Sequence, residues 1–475
     1  MNPPPTDRLP DGFTVVLGPG VERRDGGTAL LGGSPARLLR LAPAAQELLA
    51  GDRLEVTDAR SAALAARLLD AGVAAPEVPA VPRPDVTVVV PVKDRTDGLA
   101  RLLAALRADP GTAGCPVVVV DDGSADPAAV AAVAAGTRLL RHEHARGPAA
   151  ARNAGLRVAD TDAVAFVDSD CVPEPGWLAT LAGHLADPRL ALVAPRITAL
   201  DLAQPGWVAR YEALDSALDM GPAAARVAPG TGVSYVPSAT LLARRTALAD
   251  GFDEAMPVAE DVDLVWRLTG AGWRVRYEPA ARVAHDHRVE LGDWLRRRAF
   301  YGTGAALLAQ RHGAAVAPLV ISPWSLAAWV LPAFAGRWGL LGSLGVLGRA
   351  SVLLARRVAV PGRPLPIGWA AGLVLRGTAS SGRALARTVT RHHWPLTVAA
   401  MLVSRRARRA AGEVAVADAV AGWWPHRREI DLPAFVAGRR LEDLAYGAGL
   451  WWGALRARDG RALLPAAPEP VAPRG

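Results

Sequence analysis

Hydrophobic and polar positions alternate along the middle of the chain in a pattern that predicts strands and helices in turn. Three continuous apolar runs are typical of strands buried on both faces of a sheet: 86–92, 117–120 and 163–167. Apolar residues at helical spacing lie between these runs: Leu99, Leu102, Leu103 and Leu106, then 128–135 and 149–158. The alternation favours parallel βαβ units in an α/β fold, with ligands at the carboxyl ends of the strands.

A smaller unit is predicted ahead of this core, at residues 12–75. Short apolar runs at 13–17 and 28–31 stand beside Gly- and Asp-rich segments, which indicates β-hairpins. Leucines at helical spacing predict two helices after them: Leu38, Leu41, Leu48 and Leu49 in one, Leu64, Leu68 and Leu69 in the other. A Pro-rich linker at 76–84 then leads to the α/β domain, predicted at 85–310.

The last block, residues 311–475, is apolar and is predicted to be mainly helical. The stretch between His312 and Arg337 has no charged residue and is long enough to span a bilayer, although three prolines interrupt it. Basic clusters at 356–357 and 405–409 stand beside shorter apolar runs. A helix buried in a soluble core fits the same pattern, but we favour a membrane-associated region.

The basic charge of the chain comes almost wholly from arginine. The formal net charge is +8, and Lys93 is the one lysine. A basic balance suits nucleic acid, lipid or phosphorylated substrates. Because no run interleaves aromatic and basic residues, we expect no nucleic-acid partner. The two cysteines form no CxxC pair, so neither a disulfide framework nor a cysteine zinc site is expected.

Two pairs of carboxylates follow predicted strands. Asp121 and Asp122 begin the sequence DDGS, and Asp168 and Asp170 stand in DSD. Either motif alone is common in turns, but both occur at strand ends. Two anions in one small site repel unless a cation lies between them, and Mg²⁺ or Mn²⁺ prefers oxygen ligands. Such an ion neutralises charge on a departing nucleotide diphosphate.

Two further segments supply candidate residues. GPAAARNAG at 147–155 predicts a helix close to a nucleotide, with Arg152 near its base or phosphates; close helix packing needs the same small residues. Asp261 is our candidate for the base that takes a proton from an acceptor hydroxyl, with Glu260 and Asp263 supporting it or orienting the acceptor. Acidic residues also collect at helix starts because of the helix dipole, which is compatible with this role.

A histidine supplies a further candidate metal ligand. His285 comes close after a strand predicted at 274–277. A lone histidine is often structural, and imidazole nitrogen is also a common metal ligand. We expect His285 to be a further ligand of the metal.

Taken together, the motifs resemble those of the family 2 glycosyltransferases. They are VTVVVPVKDR, VVVVDDGSAD, GPAAARNAG, FVDSD and GFDE…AEDVDLVWR, in the order of the family, over roughly residues 85–290. The resemblance implies a GT-A fold with a mostly parallel sheet, a divalent metal, a nucleotide-sugar donor and inversion at the sugar carbon.

The same resemblance implies roles for particular residues. Asp122 and Arg152 would contact the nucleotide base, Asp168 would lie near the ribose and Asp170 would bind the metal. Asp261 would be the base. Pro91 and Asp94 would belong to the nucleotide-sugar site. Lys93–Asp94–Arg95 stands where the family usually has an aromatic residue followed by Asn, a departure in the loop that meets the nucleotide.

Residues 12–75 resemble the small, winged-helix-like PqqD domains that recognise peptides. The run LLGGSP at 30–35, with Leu38 and Leu41, carries this resemblance. The combination of domains is similar to the glycosyltransferases of the mycofactocin system. It implies transfer of glucose from UDP-glucose, as a β-1,4 chain, onto a hydroxyl of a redox cofactor derived from a ribosomal peptide.

Two other functions fit the same sequence. A membrane glycosyltransferase for polysaccharide or polyprenyl-phosphate acceptors would use the same motifs, although the Gln-x-x-Arg-Trp segment of the processive synthases is missing after the base. A non-catalytic scaffold that binds peptide is the alternative from another class. Residues 1–12 contain no apolar segment of a secretory signal. We therefore expect the enzyme at the cytoplasmic side of the cell membrane, peripheral or integral through its C-terminal region.

Overall fold

A computed structural model describes residues 2–200, 206–359 and 364–467. They form two compact units. The first comprises Met1–Pro205 and Glu212–Arg288, and the second comprises Gly206–Tyr211 and Val289–Gly475.

The first unit begins with a small domain of two three-stranded sheets and two helices. Its strands are β1 Thr14–Leu17, β2 Glu22–Arg24, β3 Ala29–Gly32, β4 Arg37–Arg40, β5 Arg53–Glu55 and β6 Ala74–Glu77, and its helices are α1 Pro43–Leu48 and α2 Ala59–Ala71. The sheets have the orders β5-β1-β6 and β2-β3-β4. Helix α2 begins at a capping box formed by Asp58 and Ser61, and its buried leucines face the core of the domain.

The helix predicted to contain Leu38 and Leu41 was wrong. Residues Arg37–Arg40 form an edge strand in which Leu39 pairs with Leu30 of β3. The helix begins only at Pro43, which supplies its first turn. Leucines at 38 and 41 fit a helical period, but a short strand followed by a turn gives the same spacing.

The rest of the first unit is built on a nine-stranded mixed sheet, which confirms the α/β class. Its strands are β7 Val86–Val92, β8 Val117–Asp122, β9 Arg138–His142, β10 Ala163–Val167, β11 Cys171–Pro173, β12 Leu190–Ala199, β13 Ala225–Arg226, β14 Thr240–Arg244 and β15 Arg274–His285. The order is β11-β15-β12-β14-β10-β7-β8-β9, and β13 pairs with β15. The run β10-β7-β8-β9 is parallel throughout. It therefore brings the carboxyl ends of these strands to one edge of the sheet.

Helices cover this sheet and bury its valines. They are α3 Thr96–Ala108, α4 Pro127–Val133, α5 Pro148–Val158, α6 Trp177–Gly183 and α8 Glu260–Gly270. Helix α7, Trp207–Leu214, has its first five residues in the second unit. Helix α5 packs so closely on β7 that a Cβ atom at Gly155 would lie 2.2 Å from Val89. The small residues of GPAAARNAG thus allow close helix packing, which was one of the two interpretations of this segment. The other interpretation, a helix close to a nucleotide, stays a prediction.

A partly buried ion-pair cluster joins the small domain to the sheet. Arg274, at the start of β15, is 6% exposed. Its Nε donates to Asp70 of α2 at 2.7 Å, and its Nη1 donates to Asp187 at 3.0 Å. Arg189 also reaches Asp70, at 3.3 Å. We call these four residues the domain seam.

The second unit is helical, as predicted. Its helices are α9 Leu291–His312, α10 Pro323–Val358, α11 Ile367–Arg387, α12 Trp394–Val403, α13 Arg405–Trp423 and α14 Leu432–Ala457. Helices α9 and α14 approach closely: a Cβ atom at Gly449 would lie 1.8 Å from the carbonyl oxygen of Ala299. A buried ion-pair network also lies here, with Arg391 3.3 Å from Glu442 and 3.4 Å from Asp443.

The uncharged stretch between residues 312 and 337 is not one helix. It includes the end of α9, a 3-10 turn at Gly313–Val316 and the start of α10, which bends sharply at Gly336. Among the described residues, the helix long and apolar enough to cross a membrane is Ala335–Val358, with a mean hydropathy of 1.5. The predicted span therefore moves towards the C-terminus.

Candidate active site

The parallel strands bring the predicted motifs to one edge of the sheet. Val92 at the end of β7 lies opposite Asp121 of β8, and Phe166 of β10 pairs with Val89 of β7. Asp121 and Asp122 are the last residues of β8 rather than residues that follow it. DDGS and DSD therefore lie on either side of the loop that follows β7.

The loop after β7 and the DDGS turn hold each other in place. The backbone N–H of Asp94 donates to the Ser124 hydroxyl at 2.9 Å, and Asp94 Oδ1 accepts from the N–H of Ala125 at 2.7 Å. Asp94 has a φ of 56°, an uncommon conformation for a residue other than glycine. Pro91 lies in β7 opposite Val120. This ordered loop is where Pro91 and Asp94 are predicted to meet the donor.

Asp122 closes the next loop along the edge. Its Oδ1 accepts from the N–H of Arg146 at 2.9 Å and lies 2.7 Å from Nδ1 of His142. Its Oδ2 accepts from the N–H of Gly147 at 2.8 Å. Both carboxylate oxygens are thus engaged at the start of α5. A contact between Asp122 and the nucleotide base stays a prediction.

Arg152 links the two halves of the site. Its guanidinium is buried, with Nη2 2.7 Å from Asp168 and Nη1 3.1 Å from Glu260. It also lies over the Phe252 ring, 5.4 Å from the centroid. Burial alone would lower the pKa of Arg152, but these two carboxylates raise it. Arg152 is therefore a fixed cation between β10 and α8, and its predicted contact with the base is untested.

Asp168 stands in a different environment from an ordinary surface carboxylate. Burial raises its pKa, the charge of Asp170 raises it further, and Arg152 opposes both effects. A hydroxyl or a cation brought to this point would stabilise the ionised form. Its predicted place near the ribose fits that environment.

Asp170 and His285 face each other across two paired strands. Cys171 of β11 pairs with His285 at the end of β15, so the register sets Asp170 beside the histidine. Asp170 Oδ1 lies 3.5 Å from His285 Nε2. Two ligand atoms that each lie about 2.1 Å from one ion are separated by about 3–4 Å, so this oxygen and nitrogen fit a Mg²⁺ or Mn²⁺ ion. His285 is the last residue of β15, which is longer than the strand predicted at 274–277.

The other oxygen of Asp170 is held by Arg95. The Nη1 atom of Arg95 lies 3.0 Å from Asp170 Oδ2. Within the described residues, no third Asp, Glu, His or Cys side chain completes a cluster around Asp170 and His285. Magnesium sites commonly take their remaining ligands from water and substrate phosphates. Arg95 was not among the predicted site residues, although it lies in the loop that departs from the family.

Asp261 lies in the first turn of α8. The N–H of Ser238 donates to its Oδ2 at 3.1 Å, and the N–H of Val262 donates to its Oδ1 at 2.8 Å. Burial and the neighbouring charge of Glu260 nevertheless raise the pKa of Asp261 to about 7. A carboxylate with a pKa near neutrality is well suited to accept a proton during a reaction.

The two acids beside Asp261 have other partners. Glu260 is bound to Arg152, and Asp263 is fully buried, with its Oδ2 accepting from Arg267 Nε at 2.6 Å. Both residues thus fix α8 behind Asp261. Their predicted part in orienting an acceptor is untested.

The sequence analysis did not identify one segment that contacts the candidate site, a loop at 227–238. At one end the N–H of Gly232 donates to the hydroxyl of Ser34, in the small domain, at 2.7 Å. At the other end Ser238 donates its N–H to Asp261. The 227–238 loop therefore runs from the small domain to the candidate base. Its sequence, VAPGTGVSYVPS, has the Gly and Pro of any surface loop and carries no signal of this contact.

Comparison with known proteins identifies the class of enzyme. The model of "Glycosyl transferase family 2" matches residues 87–252. The chain belongs to this family and is a glycosyltransferase with a GT-A-type fold, which confirms the fold class, the enzyme class and the resemblance predicted from the motifs.

Two relatives and one solved structure show which glycosyltransferases the chain is similar to. The chain is 49% identical to "Pre-mycofactocin glycosyltransferase" of Mycobacterium tuberculosis over 96% of this chain and 98% of the relative. A shorter match, 37% identical, covers 25% of this chain and 35% of "Succinoglycan biosynthesis protein ExoU" of Rhizobium meliloti. Among solved structures, the mannosyltransferase PcManGT from Pyrobaculum calidifontis, in complex with GDP-Man and Mn²⁺, matches with a TM-score of 0.39 and 22% identity, over 74% of this chain and 90% of that one.

Proposed function

We propose that this chain is an inverting glycosyltransferase that moves a hexose, glucose from UDP-glucose, onto a hydroxyl of pre-mycofactocin. Successive additions build a β-1,4-glucan chain. The observation that carries the proposal is Asp261, a carboxylate in the first turn of α8 whose pKa of about 7 suits proton removal at neutral pH. The name of the full-length relative from Mycobacterium tuberculosis supports the acceptor.

The reaction is a single displacement. Asp261 accepts the proton of the acceptor hydroxyl while the hydroxyl oxygen forms a bond to the anomeric carbon. The bond from that carbon to the diphosphate breaks on the opposite face, UDP leaves with the electron pair, and the configuration is inverted. Arg152 fixes the distance between α8, which carries the base, and Asp168, at the donor end.

The predicted metal would be held by Asp170 and His285. A bound Mg²⁺ or Mn²⁺ supplies positive charge that stabilises the leaving diphosphate. Arg95 neutralises the second oxygen of Asp170 and keeps the carboxylate turned towards His285. Asp122 and Asp94 hold the surrounding loops through hydrogen bonds to backbone N–H groups, and these loops would form the surface that meets the donor.

The remaining parts of the chain would present the acceptor. The small domain at 12–75, with its PqqD-like resemblance, would bind the peptide-derived part of the acceptor. The second unit, which includes the apolar helix Ala335–Val358, would hold the enzyme at the cytoplasmic face of the membrane. The same unit favours a second candidate, transfer to a polyprenyl-phosphate acceptor, because a lipid-linked substrate needs an apolar surface.

The test is a product-mass assay with the full chain. The protein is incubated with Mn²⁺ or Mg²⁺, a panel of sugar nucleotides, and either a peptide-derived cofactor precursor or a polyprenyl phosphate. Asp261→Asn serves as the inactive control. We expect hexose units on the cofactor precursor from UDP-glucose.

Each other result changes a particular part of the proposal. Transfer to polyprenyl phosphate alone would replace the acceptor. Hydrolysis of a donor without transfer would keep the transferase and discard both acceptors. A chain that consumes no donor under any condition, while still binding the peptide-derived precursor, would act as a scaffold.

A further inference from the structure

The corner between α12 and α13 exposes apolar side chains to solvent. Helix α12 has no charged residue, and none of its residues is buried. Its last two side chains are the most open, with Leu402 78% and Val403 87% exposed. Two large aliphatic side chains at a corner are poorly accommodated in water.

Positive charge follows these side chains directly. Helix α13 has four arginines and no acid among its first five residues: Arg405, Arg406, Arg408 and Arg409. Because the start of a helix carries partial positive charge, cations there are unfavourable unless an anion lies close by. Within the described residues, Arg405, Arg406 and Arg409 form no ion pair. By contrast, Arg439 and Arg440 of the same unit both pair with Asp418.

The apolar surface continues along α13. Val416 and Val420 lie one turn apart on one face of α13, and Trp424 follows in the 3-10 turn directly after the helix. All three side chains are exposed. They line an open groove of about 820 Å³ between α13 and Arg383 of α11. Tryptophan is enriched where a protein meets the boundary between lipid and water.

We infer that the α12–α13 corner docks on an anionic phospholipid surface, an inference that rests on the membrane association proposed above. Leu402 and Val403 enter the outer edge of the acyl layer. The four arginines, which we call the corner arginines, stay at the level of the lipid phosphates. One partner thereby covers the apolar tip and neutralises the charge at the start of α13. A nucleic acid would meet the charge but not the apolar tip.

The test is flotation of the full chain with vesicles of phosphatidylcholine alone, or of phosphatidylcholine mixed with phosphatidylglycerol. The wild type should bind the mixed vesicles more tightly and lose this preference in high salt. Arg405→Gln with Arg406→Gln should weaken binding to mixed vesicles by about 25-fold, at about five-fold for each charge. The control, Arg60→Gln with Arg83→Gln, removes the same charge from exposed positions of the first unit and should bind as the wild type does.

A second variant tests the apolar tip. Leu402→Ser with Val403→Ser should lose binding to both kinds of vesicle, whereas Val81→Ser with Leu464→Ser, at exposed aliphatic positions elsewhere, should not. Circular dichroism confirms that every variant folds. Binding that stays unchanged in both corner variants would assign the membrane contact to another segment such as Ala335–Val358 and overturn the inference. Binding to an oligonucleotide, with none to vesicles, would overturn it in favour of a polyanion site.

Sugar transfer to a soluble acceptor is measured on the same preparations. A wild type that transfers sugar but binds no vesicle overturns the docking site and leaves the proposed reaction intact. A wild type that binds anionic vesicles but transfers no sugar supports the docking site and overturns the proposed reaction.

Discussion

At the scale of single residues, the site depends on how one buried cation is shared. Arg152 compensates Asp168 and Glu260, but Asp261 receives only two backbone hydrogen bonds. The uncompensated carboxylate is the one with a pKa of about 7. A pKa near neutrality makes Asp261 a group that can exchange a proton near neutral pH.

Replacement of the base should affect turnover rather than donor binding. Asp261→Asn keeps the shape of the side chain but cannot accept the proton, so kcat should fall by about 10²–10⁴-fold. The KM for the sugar nucleotide should change little. Initial rates at varied donor concentration measure both quantities, and Asp160→Asn, an exposed carboxylate, is the matched control. A large rise in donor KM with kcat preserved would show that Asp261 binds the donor instead.

The pH dependence follows from the pKa of Asp261. The base must be ionised, so kcat should rise with pH, from about a tenth of its maximum at pH 6 to about nine-tenths at pH 8. Because burial is the main cause of the raised pKa and the charge of Glu260 is the next, Glu260→Gln should move the midpoint to lower pH. A pH–rate profile for both proteins tests this. A midpoint that stays in place or rises contradicts the assignment.

Replacement of Asp170, the candidate metal ligand, should change the affinity for UDP, which can be measured without an activity assay. Asp170→Ala should weaken UDP binding in the presence of Mn²⁺ by about ten-fold or more, since ligands and their supports contribute on this scale. In EDTA the wild type and the variant should bind UDP alike. Calorimetric titration measures the affinity for UDP under both conditions, with Mn²⁺ and in EDTA. An affinity that is independent of Mn²⁺ in the wild type, or activity that survives in EDTA, would remove the metal from the mechanism.

At the scale of elements, the 227–238 loop contacts Asp261, the candidate base, from outside α8. Thr231 braces the loop, because its hydroxyl lies 2.8 Å from the carbonyl oxygen of Ala228 and 2.7 Å from that of Val233, either of which can accept its proton. The far end of the loop gives Asp261 one of its two hydrogen bonds. Order in the loop is thus connected to the pKa of the base.

Loss of the Thr231 hydroxyl should reduce activity and shift its pH dependence. Thr231→Val removes these hydrogen bonds, at a cost of about 1 kcal/mol in the free energy of unfolding. If the loop is less well held, the hydrogen bond from the Ser238 N–H to the Asp261 carboxylate weakens. The ionised form is then less stable, so the pKa of Asp261 and the midpoint of the pH–rate profile should rise. Thr231→Ser keeps the hydroxyl and should restore the wild-type midpoint. An unchanged midpoint in Thr231→Val would show that order in the loop does not influence the pKa of Asp261.

The elements that could be predicted from sequence are those with a strong, repeated pattern. Long valine runs such as Val86–Val92 identify buried strands because no other element buries both faces so evenly. The strand Arg37–Arg40 was missed because four residues are too few to distinguish a period of two from one of 3.6. Candidate site residues that stand in motifs, such as Asp170, could be named from the sequence, and their roles stay predictions. Arg95 and Ser238 join the candidate site through contacts that no local pattern records.

At the scale of the whole molecule, the domain seam decides how the small domain is attached. Asp70 lies on α2 and Asp187 precedes β12, and both bind Arg274. These contacts are distant in the chain, between residues 70 and 274 or 187 and 274. Composition and periodicity therefore could not predict them.

Loss of Asp70 should destabilise the first unit modestly and only above acidic pH. Burial alone would raise the pKa of Asp70, but hydrogen bonding and the charge of Arg274 lower it. The ion pair therefore stabilises the fold above about pH 4, the ordinary pKa of aspartate, and its contribution is lost as pH falls through the lower folded value. Asp70→Asn should cost about 1 kcal/mol at pH 7, because the carboxylate is partly exposed.

Thermal unfolding at pH 7 and at pH 3 tests this prediction. The difference in Tm between the wild type and Asp70→Asn should shrink at the lower pH. Asp52→Asn removes a more exposed ion pair with Arg23 and should change Tm little at either pH. An equal Tm difference at both pH values would mean that the charge of Asp70 is not what holds the seam.

The length of β15 has a consequence for how such enzymes can be rebuilt. This single strand of twelve residues begins at Arg274, in the domain seam, and ends at His285. The small domain is therefore attached through Asp70 to the start of β15, and the end of the same strand carries His285, a candidate metal ligand. If the small domain were replaced by a domain from another enzyme, the new domain would also need Asp70 and the residues around it to bind Arg274. We expect grafts that ignore this joint to lose catalysis along with specificity.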